Sequence, residues 1–495
     1  MSSISRLRTF QPGRSSGNVR PPCEPARRVR PRGASALGAA AEPAGLRWDH
    51  LGSARTSSER GGQFSVPIIA PRSAPAWAAA SWRENFQPGH GWTATGGNVG
   101  WSNLNDTSEF VRGTQSATIN TAGRATANGA TADQANIQRL GGAPLDLTGK
   151  AIRLLFKVSD VTRLRWISFY VGTSGLANNF RWRVHTHTTS QNWVQSGEWV
   201  LVTLQWGDVQ TASGAFSLSP ARVPSTTSGF TDLRFQVIDA GTGPVTVRLQ
   251  SVELVDDTTV TYPDGLVSIT FDDSWADVFD NARPAMDAYG FRATTYTIAD
   301  QIGKPGNYTM AQLQAAQNLS GWEVAGHAYQ NAAHEARYDG LTAAEVDADA
   351  GNLRAWLVEN GFHGDSFAYP GGRFGQTTDG VSIEAIVSRY FAAGRSIISA
   401  DNREATPPPM PRRLRSLTGI SSVSSGAANP ASLAGPGGLL DRAQLSGGWL
   451  ILCFHRVVTT SPKDNIECHR DDFAAIMRAI NVRGMTVLPV AEVMR

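Results

Sequence analysis

The chain has 495 residues, of which 41% are hydrophobic and 18% charged, and its net charge is +3. That length allows two or three domains, and the balance fits a soluble globular protein while giving no sign of a nucleic-acid partner. Its three cysteines, Cys23, Cys453 and Cys468, supply neither a disulfide framework nor a CxxC metal pattern, and no apolar run is long enough for a transmembrane segment.

Residues 1–82 read as a disordered tail. Arg6, Arg8, Arg14, Arg20, Arg27, Arg28, Arg30 and Arg32 stand among Pro, Ser and Gly, a composition that buries no core. An export signal needs a continuous apolar segment. The best candidate, 34–41, is short and mostly Ala and Gly, and Arg27-Arg28 ahead of it gives only a faint twin-arginine pattern.

Residues 83–260 change to alternation at period two. Ile152, Leu154, Phe156 and Val158 alternate with Arg153 and Lys157, and Phe180, Trp182 and Val184 with Arg181 and Arg183. Trp199 to Leu204 reads as a more fully buried strand. Several such strands, parted by Gly, Ser, Thr and Asn turns, predict an antiparallel β-sandwich. In pattern, though by no diagnostic motif, the region resembles the jelly-roll carbohydrate-binding modules fused to sugar-active enzymes. Trp92, Trp101 and Trp193 lie in polar, loop-like contexts and are the candidates for stacking on sugar rings. Trp182 falls on the apolar side and reads as core. His185 and His187 share one strand face, as a metal pair or, more simply, as two surface histidines. A purely structural spacer is the competing reading of the whole region.

From 261 to 495, strands and helices alternate. Strands are predicted at 266–271, 294–298, 322–325, 366–369, 390–393, 449–454 and 486–490. Helices are predicted at 275–289, 310–318 behind Thr309, from the capping box Thr342-Ala343-Ala344-Glu345 to Gly361, at 382–389 and at 471–482. Repeated βα units imply a parallel sheet, open or closed into a (β/α) barrel, with chemistry at the C-terminal strand ends.

The polar residues fall at those ends. Leu266 to Phe271 runs into Asp272 and Asp273. Adjacent buried acids repel, so they share a proton or divide metal binding from proton transfer. A simpler reading makes Asp273 or Ser274 a helix cap. His327 ends another predicted strand, with His334 seven residues on. Tyr369-Pro370-Gly371 forms a tight turn after a third, and His455 ends the most apolar strand of all. One Asp and two His with open positions make a facial metal site. Such a site lowers the pKa of a water, a second carboxylate takes its proton and a facing His protonates the leaving group. A backbone N–H in the Pro370-Gly371 turn could meet a developing oxyanion.

On these residues the segment from about Leu266 to Arg495 resembles the polysaccharide deacetylases of NodB-homology type, carbohydrate esterase family 4. Thr270-Phe271-Asp272-Asp273 is similar to that family's first motif. The resemblance implies Asp272 as catalytic base, Asp273 and His327 as metal ligands, Tyr369, Pro370 and Gly371 as groove and oxyanion turn, and His455 as general acid. It also implies a distorted (β/α) barrel, a divalent ion with zinc foremost, and removal of acetyl groups from a polysaccharide, an N-acetylated one favoured. Such a substrate places the protein at the cell exterior, the cell surface or a virion.

This sequence departs from the pattern in three places. Ser274 stands where the family has Gly. The usual His-x3-His is replaced: Asn331 follows His327 by four residues and His334 by seven. Imidazole suits such an ion better than a neutral amide, so His334 is preferred as third ligand over Asn331. No Arg precedes the turn to brace the base. Arg373, Arg395 and Arg413 are the substitutes, and spacing does not choose among them. Asp401 is a partner for one of them or merely solvated. Two further readings remain. One is a sugar-binding or structural protein without catalysis. The other is a small-molecule C–N hydrolase of the same fold.

Overall fold

The computed structural model describes residues 79–95, 99–123, 134–184, 194–219, 223–257, 262–397 and 403–495. Most of the expected tail, His185, His187, Trp193 and Asp401 lie outside them, as does the side chain of Trp101.

The alternating region forms two six-stranded antiparallel sheets. One orders Trp199–Leu204, Lys150–Val158, Thr246–Asp256, Ser116–Thr121 and Val99–Asp106, and Ala80–Glu84 also pairs with Thr246–Asp256. The other orders Thr211–Ser213, Asn178–Val184, Leu164–Thr173, Asp232–Asp239, Gln134–Arg139 and Thr93–Thr95. Period-two burial is plain in Asn178–Val184, where Phe180, Trp182 and Val184 are buried and the intervening arginines half-buried.

Three expectations need correction here. Ala80–Glu84 falls partly within the expected tail, because its Trp82 and Arg83 pair with Leu254 and Glu253. Arg153, which the alternation sets opposite the apolar side of its strand, is buried as well. Its cross-strand neighbour is Glu253, to which Nη2 donates at 2.6 Å, and opposite charges directly across a strand pair are favourable. Trp92 is no stacking platform. It is 4% exposed, packs its ring 5.3 Å from that of Phe86 and donates Nε1–H to Glu84.

The second region is a parallel sheet. Its order is Ala393–Arg395, Ser366–Ala368, Glu323–Ala328, Ala293–Ile298, Leu266–Phe271 and Trp449–Phe454, with Thr486–Val487 also beside Leu266–Phe271. Every residue of Leu266–Phe271 and of Trp449–Phe454 is buried. Each large aliphatic or aromatic side chain so buried contributes about 1.5–3 kcal/mol. The two outer edges are linked by irregular backbone. Ser396 N–H donates to Leu414 O, and Cys453 N–H donates to Leu417 O. Strand C-terminal ends therefore curve around one opening.

The predicted helix over 275–289 forms as a helical run over 276–287, with a π-turn at Val278–Ala282 ahead of Arg283–Asp287. Pro284 at the start of that last segment lacks the N–H that a regular α-helix would need there. The last predicted strand stops at Val487, and Pro489 caps the helix Val490–Val493. The predicted cap at Thr309 and the predicted capping box at Thr342 both form, each as a capping box. Among the described residues no helix is long and apolar enough to cross a membrane.

The antiparallel and parallel regions are joined by buried ion pairs. Arg413 binds Glu198 of the former and Glu384 of the latter, and Arg403 binds Asp208. Arg442 Nε also donates to Gly207 O at 3.1 Å.

Candidate active site

Four strand ends bring their polar residues to one cavity of about 140 Å³, lined by Asp272, Asp273, His327, His334, Tyr369, Gly371 and His455 among others. Pro370 sits in the turn behind them. Sequence alone points to each of these, and their convergence is the work of the parallel sheet.

Asp272 is 3% exposed. Its backbone N–H donates to Phe454 O, continuing the ladder, and Arg395 Nη2 donates to its Oδ1 and Oδ2 at 2.8 and 2.6 Å. The Cys453 thiol contacts Oδ2 at 3.4 Å. Burial alone would push this carboxyl up. Arg395, with His327 and His455, outweighs it and holds the group below the ordinary aspartate value. The brace is thus Arg395, on the edge strand. Arg373 is occupied with Asp339, and Arg413 with Glu198 and Glu384.

Asp273 and Ser274 both adopt left-handed backbone, with φ of 67° and 65°. Two such residues turn the chain sharply where Asp272 and Asp273 both reach the cavity wall. Glycine is the easy occupant of such a position. Ser274 holds it with a buried hydroxyl that accepts the Ile298 N–H at 2.8 Å. The helix-cap reading fails: the Ser274 hydroxyl is taken up by Ile298 N–H, and Asp273 Oδ1 faces His327 and His334.

Asp273 Oδ1 lies 3.4 Å from His327 Nε2 and 3.3 Å from His334 Nε2. Ligand atoms about 2.1 Å from one tetrahedral ion stand about 3.4 Å apart, and both distances from Asp273 Oδ1 match that spacing. His327 is turned correctly for this. Its Nδ1 lies 2.8 Å from Ala368 O, and a carbonyl only accepts, so Nδ1 carries the hydrogen and Nε2 keeps its lone pair. Burial pushes the Asp273 carboxyl up, but the facing imidazoles of His327 and His334 hold it well below the usual range. Asn331 begins the helix Asn331–Ala336, and its N–H donates to Asp300. His334 stands in one group with Asp273 and His327.

Gly371 is left-handed at φ 58° and lines the cavity. The Tyr369 ring is buried behind the turn, and its N–H donates to Arg395 O. In Tyr369-Pro370-Gly371 proline has no N–H, and Gly371 lines the cavity. His455 follows Phe454 at the rim. The next residue, Arg456, binds Asp277 and Glu467, which fixes the chain on its far side.

The Cys453–Asp272 contact was not anticipated. Its signal is simple: Thr270 and Cys453 are register partners, and Asp272 lies two residues past that pair.

Residues 259–385 match the sequence profile of the family described as Polysaccharide deacetylase. A stretch of 117 residues, 23% of the chain, is 29% identical to YxkH of Bacillus subtilis (strain 168), provisionally named a polysaccharide deacetylase. The match spans 39% of the length of that relative. Among solved structures the chain is similar to a family 4 carbohydrate esterase from Streptomyces lividans in complex with acetate (17% identity, 45% of this chain and 92% of that one, TM-score 0.30). It is also similar to the CE4 domain of a multidomain xylanase from the hindgut metagenome of Trinervitermes trinervoides (15% identity, 46% and 89%, TM-score 0.30). The segment similar to polysaccharide deacetylases therefore contains Asp272, Asp273, His327, His334 and the Tyr369 turn, and ends before Arg395 and His455.

Proposed function

We infer that residues 262–495 form a metal-dependent deacetylase acting on an acetylated polysaccharide, with N-acetylated sugars favoured. The observation that carries the reading is the meeting of a braced carboxylate, a three-atom metal site and a rim histidine around one cavity.

Asp273, His327 and His334 would hold a divalent ion, zinc foremost given two imidazoles and one carboxylate. A bound ion supplies Lewis acidity to an acetyl carbonyl and eases deprotonation of a water. The chain's own groups do the rest. Asp272, kept ionised by Arg395, takes the proton of the attacking water. The Gly371 N–H meets the negative charge that grows on the carbonyl oxygen. His455, across the cavity, gives a proton to the departing sugar nitrogen or oxygen.

The antiparallel region is the candidate polymer-holding sandwich. With Trp92 in the core, that role falls to Trp101 and Trp193. A polysaccharide substrate puts the protein at the cell exterior, cell surface or a virion.

The test is acetate release from N-acetylglucosamine oligomers and from acetylated xylan, with and without a chelator. Chelator-sensitive release from either supports the reading, and the better polymer names the bond. Tight polymer binding with neither release nor bound metal would favour the non-catalytic reading.

A further inference from the structure

We propose that Asp349 is the positioning residue for the metal ligand His334, and that its clamp is what lets this chain use a ligand seven residues after His327. The proposal rests on the metal-site reading above.

Between His327, on the strand Glu323–Ala328, and His334, on the helix Asn331–Ala336, lie six residues. The helix is short, and at its start Gln330 makes no side-chain cap, while Asp300 takes the Asn331 N–H. A six-residue helix is not stable by itself. Something else must fix the imidazole.

Asp349 does this from a neighbouring helix, Ala343–Glu359. Its carboxylate is 6% exposed. Tyr329 N–H donates to Oδ2 at 2.9 Å and Gln330 N–H to Oδ1 at 3.0 Å, just ahead of the helix. The Tyr338 hydroxyl donates to Oδ2 at 2.7 Å, just after it. One carboxylate thus grips both ends of the segment that carries His334.

The far end needs gripping. Arg337 and Tyr338 both take left-handed backbone, at φ 60° and 56°, and neither is glycine. Such conformations cost about 1–3 kcal/mol each and persist only where neighbours enforce them. The buried Tyr338–Asp349 hydrogen bond is the visible restraint. The strained turn reverses the chain directly after His334, which keeps the helix to six residues.

Asp349 also breaks the pattern of its own helix. Val346, Ala350, Leu353 and Leu357 form its buried stripe, and Asp349 sits in that stripe. A buried carboxylate there is costly unless fully hydrogen-bonded, and here it receives three donors.

The experiment is cobalt(II) binding by the full chain, followed by visible absorption, in a mutant cycle. Asp349→Asn is expected to lower cobalt affinity about tenfold or more, as loss of such supports does at metal sites. The same change made in a His334→Ala background is expected to cost nothing further, whereas in a His327→Ala background the loss persists. Tyr338→Phe, which spares both backbone contacts, should give a smaller loss and an altered absorption envelope. Equal affinity in Asp349→Asn and the unaltered chain overturns the proposal, and so does an equal loss in the His334→Ala background, since that marks a merely structural role. If Asp349→Asn does not fold, Tyr338→Phe decides, and unchanged affinity and spectrum overturn it. No cobalt bound by the unaltered chain would overturn the metal-site reading, and the clamp with it.

Discussion

Arg395 Nη2 donates to both carboxylate oxygens of Asp272, across 123 residues of sequence, from a side chain with no solvent exposure. In the proposed reaction this pair keeps the buried acid ionised, so that it can serve as the base. Without the guanidinium, burial would dominate and the carboxyl would rise. A base works when deprotonated, so a higher value moves the acid limb of the activity profile to higher pH. Arg395→Met is therefore predicted to shift that limb of kcat/KM upward by about one to three pH units. A pH–rate profile checks it, and an unmoved limb would mean that Arg395 does not set the base.

The general-acid role proposed for His455 gives a second prediction. His455→Ala should lower kcat by about 10²–10⁴, the usual contribution of a positioned proton donor. Metal binding should survive, because His455 lies outside the Asp273, His327 and His334 group. Steady-state kinetics and metal content measured together check both halves.

Ser274 tests the backbone account. Its hydroxyl accepts the buried Ile298 N–H from a left-handed residue. Ser274→Ala keeps the strain and orphans that N–H, so it should cost about 1–3 kcal/mol in urea unfolding. Ser274→Gly loses the same bond but relieves the strain, and should cost less. The reverse order would contradict the geometry.

A fourth prediction concerns acid stability. Burial pushes Glu253 up, but Arg153, Arg83 and Arg112 hold it below the ordinary glutamate value of 4.5. A carboxylate depressed in the fold stabilises fully above its unfolded value, and that contribution is lost as pH falls through the folded one. Glu253→Gln should thus cost about 3 kcal/mol near neutrality, because buried Arg153 loses its partner. The cost should shrink as pH drops below 4.5. Urea midpoints across pH check the sign.

Much of the site was legible because buried strands ending in Asp or His are rare and costly. Asp272, Asp273, His327 and His455 announce themselves in that way. The turn at Gly371 is written in Pro and Gly. The brace was not legible. The predicted strand at 390–393 starts late, at Ala393, and runs to Arg395, so only the sheet order carries that residue to Asp272. Asp349 was missed for a different reason. The helix was read by its caps, while the acid inside its apolar stripe went unweighed. Trp92 misled because a polar neighbourhood in sequence says little about a ring that folds back on Phe86.

The most direct measurement is acetate release by Asp272→Asn carrying its metal. The amide cannot take a proton, yet Asp273, His327 and His334 are untouched. The account predicts metal content equal to that of the unaltered protein and a loss in kcat of about 10² or more. Acetate release at the unaltered rate would contradict the assignment of Asp272 as the base, and with it the proposed reaction.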